Sequence, residues 1–111
     1  MQNRQVVPFV PIFRESSMQM KAVLMILRAD LDLLCLVDPF LDLYTETIFW
    51  DKIWKLPLLS HQKAALVFAY SLWTDEIKPR CNPFEMAFLM NFQMRKACLN
   101  AMALRWGLTM K

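Results

Sequence analysis

Glycine is nearly missing: Gly107 is the single one in 111 residues. Loops of the GxGxxG or P-loop kind need several glycines to bring backbone N–H groups onto a phosphate, so neither motif is present. Histidine is as scarce, with His61 alone. The three cysteines, Cys35, Cys81 and Cys98, are far apart and at no CxxC spacing. Zinc sites usually declare themselves by paired ligands, so no metal or other cofactor is expected. An odd set of thiols at unrelated spacings also argues against a disulfide framework and for buried thiols in a reducing compartment. Long apolar runs are missing too. The longest uncharged run, residues 64–74, has 11 residues, well short of the ~20 that a membrane-spanning helix needs. The first residues lack a basic region followed by an apolar core and a cleavage site, so a cytoplasmic chain is expected.

What is abundant is hydrophobic. Such residues make up 57% of the chain, with four Trp and eight Phe among them, against roughly 45–50% in an ordinary soluble domain. A chain of this length suits one domain that buries roughly two-thirds of its unfolded surface. The net charge of +3 is unevenly laid out. Residues 1–55 hold six Lys/Arg against seven Asp/Glu, a net of −1, and residues 56–111 hold seven against three, a net of +4. The second half therefore suits an acidic partner without requiring one.

Four helices and an arm are expected. Residues 1–14 contain Pro8 and Pro11 among Phe9, Val10, Ile12 and Phe13; the prolines forbid a stable helix, so an extended arm precedes a single helical domain at 15–111. Ser16 with Gln19 suggests a capping box, and helix 1 is expected over 17–37, with Arg28 and Asp32 paired at i,i+4. Asp38-Pro39 repeats the start signal for helix 2 over 39–55, and Leu56-Pro57 ends it. Ser60 caps helix 3 over 60–77. The strongest signals belong to helix 4, over 82–106: Asn82 as N-cap, Pro83 in the first turn, Glu85 to close a capping box, and Gly107 as a left-handed C-cap. Its apolar residues cover most of the wheel and leave only Glu85, Gln93, Lys96 and Asn100 on a narrow polar face. That breadth predicts a central, buried helix. The fold class is all-α, a compact four-helix bundle with an extended Pro-containing N-terminal arm.

Catalytic chemistry finds no foothold. Cys35 and Cys98 sit among large apolar residues, where a thiol is inert; Cys81 follows Arg80 near a helix start, but staple packing against Met86 accounts for it. The carboxylate pairs Asp30/Asp32 and Asp75/Glu76 belong to solvent faces or a helix end. The expectation is therefore a non-enzymatic protein with no small-molecule substrate.

Every expected helix carries apolar residues beyond one core stripe, and exposed apolar patches mark interaction surfaces. The function expected is a small protein–protein interaction module (an adaptor, chaperone-like factor or inhibitor) that occupies a partner protein's surface, as a homodimer or a complex subunit. The candidate partner-binding residues are Phe49, Trp50, Ile53 and Trp54 of helix 2, then Asn91 and Arg95. Arg95 projects beside Phe84, Phe88, Met102 and Trp106, where it either covers apolar neighbours, pairs with an acid, or anchors an interface. The alternative is a dimeric, helix-turn-helix-like DNA-binding regulator that uses Lys78, Arg80, Arg95, Lys96 and Arg105. Against it, the first turns of helix 4 offer Phe84, Glu85 and Phe88 where base-reaching polar residues are needed.

Overall fold

The computed structural model describes residues 17–74 and 82–108. The N-terminal arm at 1–14, Ser16, residues 75–77 of the expected third helix, and the turn holding Lys78, Arg80 and Cys81 lie outside them. In chain order the elements are α1 (Met18–Leu27), α2 (Leu31–Val37), a 3-10 turn (Asp38–Phe40), β1 (Leu41–Asp42), β2 (Thr47–Ile48), α3 (Trp50–Ile53), α4 (Ser60–Thr74), α5 (Pro83–Phe88) and α6 (Phe92–Arg105). The chain is mostly helical, as expected, but it is not a simple four-helix bundle. Of the four expected helices only the third stays whole over its described length.

Helix 1 divides at residues 28–30. The Asp30 carboxylate accepts the Leu33 N–H at 3.2 Å and so starts α2 afresh. Ala29 and Asp30 bond back only three residues, to Ile26 and Leu27. A short acidic side chain competes for backbone donors better than it continues a helix, and here it wins. The cap of α1 is Ser17, which accepts from Met20 N at 3.1 Å.

Helix 2 is replaced by a hairpin. Leu41 pairs with Ile48 and Asp42 with Thr47 in antiparallel register. Asp42 Oδ1 accepts from the N–H groups of Tyr44 and Thr45, an Asx turn that folds the chain back. Glu46 closes the loop at φ 53°, and its carboxylate accepts the Ser17 N–H at 2.9 Å, which ties the turn to the start of α1. The run Tyr44-Thr45-Glu46-Thr47-Ile48-Phe49 is β-branched and aromatic, composition that suits a pleated pair better than a helix.

Helix 4 divides at residues 89–91. Asn82 caps α5 as expected, accepting from Phe84 N at 2.9 Å and Glu85 N at 3.4 Å. Asn91 then caps α6, accepting from Met94 N at 2.8 Å. At the far end Gly107 adopts φ 77°. Its N–H bonds the Leu104 carbonyl and that of Leu108 bonds the Ala103 carbonyl, a Schellman ending. Replacing Asn91 by Ala removes a cap that sets the α5–α6 angle. The expected cost is about 1 kcal/mol by urea denaturation, and a loss within error would show that packing alone holds the corner.

The centre of the molecule is α1, not the 82–107 stretch. Met20, Ala22, Val23, Leu24, Ile26 and Leu27 of α1 are all buried, and the helix packs most extensively against α6 and next against α4. Ala22, Ala65, Ala69 and Ala101 are fully buried; side chains this small let helix backbones approach closely. Leu33, Val37, Ile48 and Ile53 extend the same core toward the hairpin.

Candidate interaction face

The expected aromatic surface of helix 2 is divided by the hairpin. Ile53 is fully buried and belongs to the core. Trp50 and Trp54 are half-buried and stack on each other with centroids 5.5 Å apart. Tyr70 of α4 meets both edge-on, at 5.0 Å from Trp50 and 5.7 Å from Trp54. This cluster fastens α3 to α4, so most of its area is spent inside the fold. Phe49 alone of the four is exposed. The Trp50 Nε1–H is buried and has no hydrogen-bond acceptor, a cost the surrounding ring contacts offset. An open cleft of about 410 Å³ lies alongside, lined by residues that include Phe49, Trp50, Tyr70 and Trp73.

The second expected surface, around Arg95, proves the more exposed. Arg95 itself is exposed, and its Nε–H donates to the Ala87 carbonyl at 2.7 Å. That bond ties α6 to a carbonyl in the last turn of α5 that also accepts the Met90 N–H at 3.2 Å, at a helix end where a cation is favoured. Among the described residues no acid on another helix pairs with it. Asn91, its expected neighbour, is occupied as the α6 cap.

Around this corner the apolar arc of helix 4 turns outward. Phe84, Phe88 and Phe92 are 80%, 82% and 75% exposed, and Leu99 and Trp106 are 60% and 63% exposed. The expectation of a buried central helix is thereby corrected, and the reason is geometric. α6 meets the core through Met94, Cys98 and Ala101, with Ala97 and Met102 partly buried against it, while Met86 is the one buried residue of α5. A groove of about 160 Å³ runs between the two helices, with Met86, Met90 and Cys98 in its lining and Arg95, Leu99 and Met102 beside them. That space is below the roughly 300–1,000 Å³ of small-molecule pockets and suits one or two side chains. Burial pushes the Cys98 thiol up to about 12, and its S–H points to the Met90 sulfur at 3.8 Å. It is a protonated packing group at neutral pH, not a nucleophile.

Among the described residues, Arg95, Lys96 and Arg105 do not form one stripe. On α6, Arg95 and Lys96 flank the outer face from opposite sides. Arg105 turns inward, its Nε–H on the Leu72 carbonyl at 3.0 Å, joining the ends of α6 and α4. Among the described residues no cluster of His, Cys, Asp and Glu could hold a metal ion, and no described helix is long and apolar enough to cross a membrane. His61 lies 3.8 Å from Asp30, the histidine exposed and the aspartate half-buried, with no cysteine in the pair. Comparison of the chain with known protein families, with curated proteins and with solved structures finds no match. The sequence signal that could have located the outward face is the pair of internal caps, Asp30 and Asn91, because each break re-aims the residues that follow.

Proposed function

We propose that this chain is a small, non-enzymatic interaction module that acts by occupying a partner protein's surface. One observation carries the reading: four aromatic side chains of α5, α6 and the α6 cap stand 63–82% exposed. Their rings present on the order of 600 Å² of apolar surface, as much as the largest patch on an ordinary monomer. Exposed Leu89 and Leu99 add to it. Aromatic and Met side chains with an Arg among them are the composition of an interface centre, where a few anchors supply most of the binding energy. The groove between α5 and α6 supplies the concavity such anchors need. Phe49 and its cleft are a second, smaller contact on the hairpin side.

The test is a photo-crosslinking residue at position 99, introduced into the chain in its native cells. A protein adduct is expected at position 99 and not at position 63, an exposed position on α4. Phe88→Ser with Phe92→Ser should remove the adduct while leaving helicity unchanged, because both rings are exposed. Equal labelling at 99 and 63 overturns the reading. The DNA-binding alternative is separated in the same preparation by titration with duplex DNA. A regulator's affinity falls steeply as salt rises, whereas the apolar contact should change little.

A further inference from the structure

We infer that the α5–α6 groove receives an acidic amphipathic helix of a partner protein, which lies along α6 and sets a carboxylate on Arg95. This rests on the interaction reading above and adds the partner's chemistry.

The first argument is register. Phe92, Arg95, Leu99, Met102 and Trp106 follow one another at i, i+3, i+7, i+10 and i+14. That is the a/d spacing of a heptad, and at 100° per residue the five fall within an arc of about 80°. A neighbouring side of α6, through Met94, Cys98 and Ala101 and centred about 110° away in the same projection, is already packed inside the molecule. α6 thus carries two apolar seams. One is spent on the fold; on the other, Phe92, Arg95, Leu99 and Trp106 are exposed and Met102 is half-buried against the core, at a spacing that suits a second helix.

The groove beside that seam supplies the second argument. Met86, Met90 and Cys98 line its depth, and unbranched sulfur side chains repack readily around an incoming Leu or Phe.

Charge decides which helix fits. The Arg95 Nε is held on the Ala87 carbonyl, which fixes the guanidinium plane and leaves its terminal nitrogens for a planar acceptor. A carboxylate matches that fork in two parallel hydrogen bonds. No carboxylate among the described residues pairs with Arg95, and α6 carries no acid at all. Lys96 flanks the same seam from the other side. A second copy docking isologously through this face would set Arg95 and Lys96 against their own equivalents, which disfavours self-pairing. Residues 1–16 are poorly suited to be the occupant. They hold Pro8 and Pro11, with Arg4 and Arg14 against a single acid, Glu15. Duplex DNA is a poor match too, because four of the five seam residues are apolar and one is a cation.

The experiment titrates the full chain with two synthetic three-heptad helices that have Leu at a and d. One carries Glu at the flanking positions and the other carries Lys. The Glu helix is expected to bind at least about tenfold more tightly. Arg95→Glu should reverse the preference. Leu99→Glu, at an exposed position that leaves the fold intact, should weaken the Glu helix by a similar factor and favour the Lys helix. Far-UV circular dichroism checks both variants. Equal affinity for the two peptides, failure of both to bind, or affinity unchanged in both variants overturns the proposal. So does self-association that Leu99→Glu abolishes, which assigns the seam to a second copy, or displacement of the Glu helix by duplex DNA. If neither peptide binds while the adduct at position 99 still forms, the acidic helix falls and the interaction module stands.

Discussion

Replacing Leu66 by Ala is expected to lower the unfolding free energy by about 3 kcal/mol, within the 2–5 kcal/mol typical of buried Leu truncations. Leu66 is fully buried on α4, the helix that faces α1, α5 and α6. Part of the loss is transfer of the side chain from water. The rest is the cavity left behind, because Ala65 and Ala69 of the same helix are fully buried and have no side chain long enough to fill the hole. A domain of this size is stabilised by roughly 5–15 kcal/mol in total, so one such change removes a large share. The readout is the urea midpoint, falling with the m-value unchanged. A loss under about 1 kcal/mol would mean that the site collapses around the deletion and that the core is looser than its burial implies.

The second large effect is expected at Trp50. Trp50→Ala removes a ring that touches both Trp54 and Tyr70 and should cost about 3 kcal/mol, the lower end of the range for buried aromatics because Trp50 is only half-buried. Trp50→Phe should cost under about 1 kcal/mol. It keeps a ring in place and deletes the Nε1–H that lacks an acceptor, which recovers a desolvation penalty while losing some contact area. Phe49→Ala, next in sequence and exposed, should stay within about 0.5 kcal/mol. This ordering is the signature of a cluster that holds α3 to α4. If Trp50→Phe proves as damaging as Trp50→Ala, the indole N–H has an acceptor in solution, and the cleft beside it merits a search for one.

The two predictions draw on different amounts of sequence information. Leu66 lies on one of two apolar stripes of the helix expected over 60–77, and α4 keeps that helix over 60–74. Trp50 was legible as an aromatic among aromatics, but its neighbours were not. On a continuous helix over 39–55, Trp50 and Trp54 would form an outward stripe with Leu43 and Thr47. The hairpin removes that stripe, because the pairing of Leu41 with Ile48 takes the residues before Trp50 out of helical register. Strand pairing depends on a segment several residues away and on a turn, here Asp42 and Glu46, whose energies no single-helix pattern contains.

The Arg95 face followed the same division. That Arg95 shares a side with apolar residues was readable from spacing. Its bond to the Ala87 carbonyl was not, since a helix continuous over 82–106 has no free carbonyl there. The break at 89–91 leaves the Ala87 carbonyl accepting from Met90 N at 3.2 Å and open to Arg95 as well.

By itself, the sequence determined where backbone donors and acceptors are satisfied locally. It placed Asn82 and Pro83 at a helix start, Gly107 at a helix end, the helix that follows Ser60, and the absence of paired metal ligands and glycine loops. Each of these depends on groups within four or five residues of one another. The tertiary structure alone decided which apolar residues are inside. A helix apolar over most of its circumference can bury either side, and the choice lies with what it meets. α1 is covered from two directions and becomes the core, whereas α5 and α6 are covered from within only. Phe84, Phe88, Phe92, Leu99 and Trp106 are therefore left facing water.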